Sequence, residues 1–146
     1  MADSITTCAA NLCAKLAAGV AGLATPLPII QDGNLQTGAD APAGGYIEVF
    51  PLRVIGERQH SRGGPVATFI GTFAWPLTIN IPRGSGEGLA SNTAEAIAAF
   101  FRQKIVGDLT VEEVDFEPLE RQPEDPFFQF DLLIKGEKIS DYTVAP

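Results

Sequence analysis

The sequence predicts an α+β fold: a mainly antiparallel sheet packed by two helices, in the order α-β-β-β-α-β-β, with long hairpins and mobile loops. Three observations predict it. A stripe of apolar residues at helical spacing opens the chain, a long strand of alternating residues lies near its centre, and an amphipathic segment follows a glycine-rich turn. The 146 residues suffice for one domain, 1–146, that buries about 70% of its unfolded surface.

The first helix is predicted from an apolar stripe and from residues that suit its two ends. Asp3 or Ser4 can cap its N-terminus. Gly19 and Gly22 are expected to end it, and a short extended piece over 27–30 follows. The stripe consists of Ile5, Ala9, Leu12, Leu16 and Val20.

The two cysteines, Cys8 and Cys13, lie five residues apart in this helix, which turns them about 140° away from each other. We therefore expect no disulfide, and two reduced thiols fit a cytosolic folding environment. The single His60 would complete only a poor metal site with them.

The apolar stretch over 14–24 could be mistaken for a signal peptide. Asp3 stands where a signal peptide carries positive charge, and Lys15 interrupts the apolar run. No stretch reaches the roughly 18 apolar residues that a membrane span needs. We expect a soluble, unexported protein without a membrane partner.

A hairpin is predicted in the middle of the chain. A flexible loop at 31–45 precedes a strand at 46–56, in which Pro51 indicates an edge position or a bulge. A polar turn at 57–65 leads into the central strand, where Pro76 implies a bend or a bulge. The alternation predicts a strand with one face in the core and one in solvent. The apolar face carries Phe69, Phe73, Trp75, Leu77, Ile79 and Ile81, and the polar face carries Thr68, Thr72, Thr78 and Asn80.

The second half is predicted to contain a helix at 89–104, a strand at 109–119, a turn at 120–126 and a final strand at 128–134. Arg102 and Lys104 would fall in the last turn of the helix, where its dipole favours positive charge. The residues expected to face the sheet are Leu89, Ala96, Ile97, Phe100 and Phe101.

The glycine-rich turn before this helix has the layout of a phosphate-binding loop but not its chemistry. A Walker loop needs a lysine before the helix, and the sequence Gly84-Ser-Gly-Glu-Gly88 has none. Glu87 instead puts a carboxylate at the helix N-terminus, where a phosphate would bind. A dinucleotide-binding fingerprint also fails, because Leu89 replaces its third glycine.

The charge distribution argues against a nucleic-acid-binding protein. The net charge is -8, and eight acids fall between Asp108 and Asp125 against one base, Arg121. Alternating acids in this region would share one strand face: Glu113, Asp115 and Glu117. Calcium-loop spacing is absent, so we expect a solvated face or a surface facing a charged partner, without a metal or another cofactor.

Arg58, His60 and Arg62 form a short basic group in the predicted polar turn. The chain has no second histidine and no nucleophile-elbow pattern, so a catalytic role for His60 is disfavoured. Two interpretations remain: exposed turn residues, or contacts with carboxylates on a neighbouring subunit.

Several segments together resemble the tail-terminator (tail-completion, minor tail) family of long-tailed bacteriophages. They are Gly71-Thr-Phe, Leu77-Thr-Ile-Asn-Ile-Pro, the turn Arg83-Gly-Ser-Gly-Glu-Gly and the helix Ala94-Glu-Ala-Ile-Ala-Ala-Phe-Phe, together with the N-terminal helix. The resemblance implies a non-enzymatic ring, expected to be a homohexamer, on the head-proximal end of the tail tube. Such a ring ends tube polymerisation and joins the tail to the head.

The resemblance also implies partners and a location. The partners are other copies of the chain, the tail tube protein and head–tail connector or neck proteins, with DNA passing through the ring without specific binding. The protein would assemble in the host cytoplasm and reside in the virion tail. Other neck, head-completion or tail components, and a small adaptor module, are the alternatives.

Charged residues are the candidates for these contacts. The acidic residues 113, 115 and 117 are expected to face the lumen of the ring, where they would let DNA slide without sticking. The candidates for subunit or tube contacts are Arg58, His60, Arg62, Arg83, Glu120 and Arg121.

Overall fold

The computed structural model describes residues 4–31, 44–82, 84, 87–102, 104–118 and 127–143. The helices are α1 (Ile5–Ala21) and α2 (Glu87–Phe101). The strands are β1 (Ile29–Gln31), β2 (Tyr46–Val49), β3 (Arg53–Gly63), β4 (Val66–Pro82), β5 (Ile105–Val106), β6 (Leu109–Pro118) and β7 (Phe127–Thr143). They form one sheet in the order β1-β2-β4-β7-β6-β5, with β3 also paired to β4.

The architecture confirms the predicted α+β class. Every strand pair is antiparallel except β1 with β2. Strands β4 and β7 form the spine of the sheet, because each has 17 residues and they pair along their whole length. The predicted loop at 31–45 lies mostly, and the turn at 120–126 wholly, outside the described residues.

The two helices cover one face of this spine and form the core with it. Trp75 and Phe101 meet edge to face with ring centroids 5.8 Å apart, which joins β4 to α2. The buried stripe of α1 is Cys8, Leu12, Leu16 and Val20. Leu12, Leu16 and Val20 were predicted, whereas Ile5 is 51% exposed and Cys8 takes the buried position that was assigned to Ala9. No disulfide joins the two cysteines, as expected.

The ends of both helices differ from the prediction in detail. Ser4 caps α1, since its Oγ accepts from the Thr7 N–H at 3.0 Å, but Gly19 lies inside the helix and Gly22 caps its end. Gly19 is needed for packing, because a side chain there would overlap the Phe100 ring. Helix α2 ends at Phe101, so the predicted basic last turn is wrong.

The sheet-facing residues of α2 are only partly as predicted. Ile97 and Phe101 are fully buried, whereas Leu89, Ala96 and Phe100 are half-buried. Ala90 and Ala94 occupy the buried positions that the prediction missed. Small residues there let α2 approach the sheet closely.

The predicted strand at 46–56 is interrupted at Pro51 and becomes two strands, β2 and β3. Pro76 lies opposite this interruption, and its carbonyl accepts the Phe50 N–H at 3.1 Å. The missing N–H of Pro76 therefore faces the gap and leaves the β4–β7 ladder intact. Of the bend or bulge predicted at Pro76, the bulge is wrong, because the β4–β7 register is continuous there. The register shifts lie in β3 and β6 instead.

The predicted polar turn at 57–65 is also wrong, because β3 continues to Gly63 and the chain reverses at 64–65. Gly56 and Gly64 have φ values of 70° and 61°, which suit glycine at a bulge and at a tight turn. The hairpin of β3 and β4 is therefore longer than its polar composition indicated.

Two further predictions, one about the burial of β4 and one about the length of the last strand, were incomplete. The polar face of β4 was predicted to be in solvent, yet Thr78 and Asn80 are only 7% and 1% exposed. The last strand was predicted at 128–134, yet β7 runs to Thr143 because polar residues in its second half are buried in contact with one another.

Candidate functional site

A three-stranded arm extends from the part of the sheet that the helices cover. It consists of β3 with residues 66–74 of β4 and 135–143 of β7, and residues 135–138 at its root also pair with β6. All residues of β3 except Val54 are exposed, and no described strand pairs with its outer edge. The arm therefore presents an open row of backbone donors and acceptors, the feature through which sheets pair with other chains.

The predicted basic residues are all on this arm. Arg58 and Arg62 pair with Ile70 and Ala67 of β4, and His60 lies between them at a register shift. The Arg62 Nε donates to the Gly64 carbonyl at 3.0 Å, which holds its side chain near the hairpin turn. The structure thus places these three residues together on an edge strand, while Arg83, Glu120 and Arg121 lie outside the described residues.

An exposed apolar surface lies on the face of the arm that points away from the helices. Ile70 pairs with Ile139, and Ile55 lies nearby opposite Thr72. Ile55 is 63% exposed and Ile139 is 42% exposed. Neighbouring isoleucines of this kind favour contact with another protein surface.

The opposite face of the arm holds a buried lysine that the sequence prediction missed. Lys138 is only 1% exposed and lies where the apolar core of the spine ends. Its Nζ donates to Glu57 Oε1 at 3.1 Å, to Ser140 Oγ at 2.5 Å and to Tyr142 Oη at 3.2 Å. Ser140 in turn donates to Asp108 Oδ2 at 2.9 Å, so the network links β3, β7 and the β5–β6 turn.

A glycine makes this network possible. Glu57 lies on β3, two strands away from β7, and must cross β4 to reach Lys138. It crosses above Gly71, where a Cβ would lie 2.6 Å from the Glu57 Cγ. The bulge in β3 sets the position of Glu57 for this crossing.

The partners of Lys138 keep it charged despite its burial. Burial by itself lowers the pKa of its ammonium, but hydrogen bonds with Tyr142 and Glu57 outweigh this effect and raise the pKa above the ordinary lysine value. Lys138 is therefore positively charged at neutral pH and ties the arm to the body of the domain.

Strand β6, which lies across the sheet from the arm's outer strand β3, forms an acidic edge. Strand β5 pairs only with Leu109 and Thr110, so no described strand lies along the outer side of β6 beyond Thr110. Glu113 and Asp115 share one face, as predicted, and Lys135 approaches them at 3.3 and 2.7 Å. Glu117 lies opposite Asp131 in the ladder.

These contacts change the charge of the predicted acidic face. The hydrogen bond from Lys135 and that with Glu113 lower the pKa of Asp115, and the same contacts raise the pKa of Lys135. The cluster is exposed, so the ion pairs are screened by water and salt. One base thus partly neutralises the acids at 113 and 115.

Replacing Lys135 with methionine should lower thermal stability slightly at neutral pH, and high salt should remove the difference. A depressed carboxyl pKa stabilises the fold above the unfolded-state pKa, and this contribution disappears as the pH falls through the folded-state pKa. The variant and wild type should therefore converge in strong acid, below the lowered folded-state pKa of Asp115. Thermal unfolding followed across pH tests this, and a difference that persists in strong acid would contradict it.

A groove of about 800 Å³ lies on the face of the sheet away from the helices. Its lining includes Pro51, Pro76 and Leu133, with Arg53 and Asp115 adding charge. Thr78 Oγ1 donates to Asp131 Oδ1 at 2.8 Å within it. The groove runs between the root of the arm and the acidic edge.

The described ranges contain no group of three or more His, Cys, Asp or Glu residues placed to hold a metal ion. At the glycine-rich turn Gly84 has a φ of 94°, and α2 begins at Glu87. Neither described helix is long and apolar enough to cross a membrane.

Comparison with models of protein families and with curated proteins gives no match. One solved structure, of a protein whose name describes no function, matches 94% of this chain and 95% of its own length. It is 17% identical to this chain, with a TM-score of 0.54. This likeness shows a shared fold across the whole domain.

Proposed function

We propose that this protein is a structural virion protein that forms a ring on the head-proximal end of a bacteriophage tail tube. The ring ends tube polymerisation and joins the tail to the head–tail connector. Its partners are further copies of itself, the tube protein and neck proteins. The resemblance of the 71–101 segment to tail terminators suggests this role.

The observation that carries the proposal is the arm, with its open edge and exposed isoleucines. An element of this kind is costly to leave in solvent and suits a contact with another subunit. The arm and the acidic edge lie on opposite sides of the sheet, so contacts between copies can be head-to-tail. Head-to-tail contacts between identical chains close into rings when the rotation permits.

Deleting the gene from the phage or prophage that carries it should yield tails of uncontrolled length and heads without tails. The physical reason is that an uncapped tube end keeps adding subunits. Electron microscopy of lysates measures tail length and head attachment, and complementation with the wild-type gene is the control. Tails of normal length joined to heads would contradict the proposal.

A further inference from the structure

Two edge strands of the sheet carry opposite charge. Strand β3 contains three arginines, and its one acid, Glu57, is paired with the buried Lys138. Strand β6 contains no base, and its acids are Glu112, Glu113, Asp115 and Glu117. Each strand has one side without a described neighbouring strand, and in β6 this side is open beyond Val111, whose N–H donates to the Lys104 carbonyl at 2.9 Å.

The two edges also face outward on opposite sides of the same sheet. Strand β3 lies next to β4, and β6 is separated from β4 by β7. One copy can therefore present its β3 to the β6 of a second copy without using the same surface twice. Such a contact is heterologous, and it leaves both copies with one free edge for further additions.

The arm is held rigid before any contact forms. Lys138 connects β3 to β7 through Glu57, and Thr68 Oγ1 donates to Asp141 Oδ1 at 2.6 Å on the other face. Ordering the arm in advance lowers the entropy lost on association. An edge strand that is already extended and fixed is suited to add to another sheet.

We propose that β3 of one copy docks along the outer edge of β6 of a second copy, with Arg58 and Arg62 facing Glu112 and Glu113. This inference rests on the proposed ring and names the surface that closes it. It places the acidic residues at the boundary between subunits instead of in the lumen. The occupant of the acidic edge is a second copy because β3 supplies the complementary charge on an equally open edge.

Charge reversal tests the pairing. The arm-reversed variant, Arg58→Glu with Arg62→Glu, and the edge-reversed variant, Glu112→Lys with Glu113→Lys, should each lose self-association. An equal mixture of the two should regain it, because acidic arms then meet basic edges and basic arms meet acidic edges. Lys15→Glu with Glu95→Lys, on the helices, is the matched control and should associate like the wild type.

Sedimentation at high protein concentration and low salt measures association, and circular dichroism checks that each variant is folded. Wild-type association should weaken as salt rises, since exposed charges are screened. Failure of the mixture to regain association would overturn the pairing. Unchanged self-association of the arm-reversed variant, with loss only of tail-tube binding, would assign the arm to the tube and also overturn it.

Disulfide trapping tests the same contact without reversing any charge. Glu112→Cys is combined in turn with Arg58→Cys, His60→Cys or Arg62→Cys in a Cys13→Ala background. Paired strands bring Cα atoms to within about 5.5 Å, so at least one combination should oxidise into a ladder of trimers and larger species. Products no larger than dimers in all three combinations would overturn the inference.

The outcomes separate this inference from the proposed function. A disulfide ladder together with normal tails after gene deletion would leave the subunit contact standing and refute the role in tails. Abnormal tails after deletion, with no ladder and no rescue in the mixture, would leave the role standing and refute the contact.

Discussion

Replacing Lys138 with alanine should lower the free energy of unfolding by about 3 kcal/mol. The change removes the cation that Glu57, Ser140 and Tyr142 share and leaves the Glu57 carboxylate partly buried without its partner. The value is set at the lower end for a broken buried pair because the Glu57 side chain is 32% exposed and can recover some hydration. Urea unfolding followed by circular dichroism measures the loss.

A double-mutant cycle separates the charge from the packing of the lysine stem. Lys138→Met keeps most of the stem, and adding Glu57→Gln removes the unpaired carboxylate. The double variant should be more stable than Lys138→Met alone, because the penalty of the isolated charge disappears. Equal stability of the two would show that the isolated carboxylate carries no penalty, and Glu57→Gln alone completes the cycle that gives the energy of the ion pair.

The pH dependence of stability gives the same pair a second test. Because Lys138 has a raised pKa in the folded state, its contribution is fully present below the unfolded-state pKa. It is lost as the pH rises through the folded-state pKa, in the alkaline range above about pH 10. Wild type should therefore lose stability there more steeply than Lys138→Met, and parallel curves would contradict the assignment.

Replacing Gly136 with alanine should also cost about 3 kcal/mol, the upper end for an overpacked site. A Cβ at this position would lie 2.9 Å from the Phe73 Cε1 and 2.9 Å from the Thr110 carbonyl carbon, and it would overlap the Thr110 oxygen. A backbone carbonyl cannot rotate out of the way as a side chain can. The strain would fall where β4, β7 and β6 pack together, opposite the bulge in β6.

Gly88→Ala is the matched control for that substitution. A Cβ at Gly88 meets no atom within 4 Å, and the residue lies in the first turn of α2. Alanine there should leave stability unchanged or raise it by up to about 1 kcal/mol through helix propensity. Equal effects of the two substitutions on thermal unfolding would mean that steric crowding does not explain the stability cost at Gly136.

The apolar periodicities predicted most of the fold. Most of the α1 stripe and of the apolar face of β4 is buried as expected, because both depend on residues a few positions apart, although Ile5 is exposed and Phe69 is half-buried. Prediction failed where polar residues form long strands. The part of β3 from Glu57 onward was predicted as a turn because of its polar composition, and the second half of β7 was missed because apolar alternation stops at Ile134.

The candidate site was predicted only in fragments. The basic group at 58–62 and the acidic alternation at 113 and 115 were identified, but their positions on two open edges were not. The glycine-rich turn was considered as a possible phosphate site. Close packing between strands instead requires Gly71 and Gly136. Their importance depends on neighbours from other strands, which no local pattern contains.

The sequence by itself therefore determined the class of fold, the two helices and the apolar side of the sheet. Only the tertiary structure decided that Lys138 is buried, that β3 is an exposed edge and that opposite charges lie on opposite sides of the sheet. The physical reason is distance along the chain. Helical and strand periodicity acts between near neighbours, whereas Lys138 meets Glu57 across 81 residues and Ser140 meets Asp108 across 32.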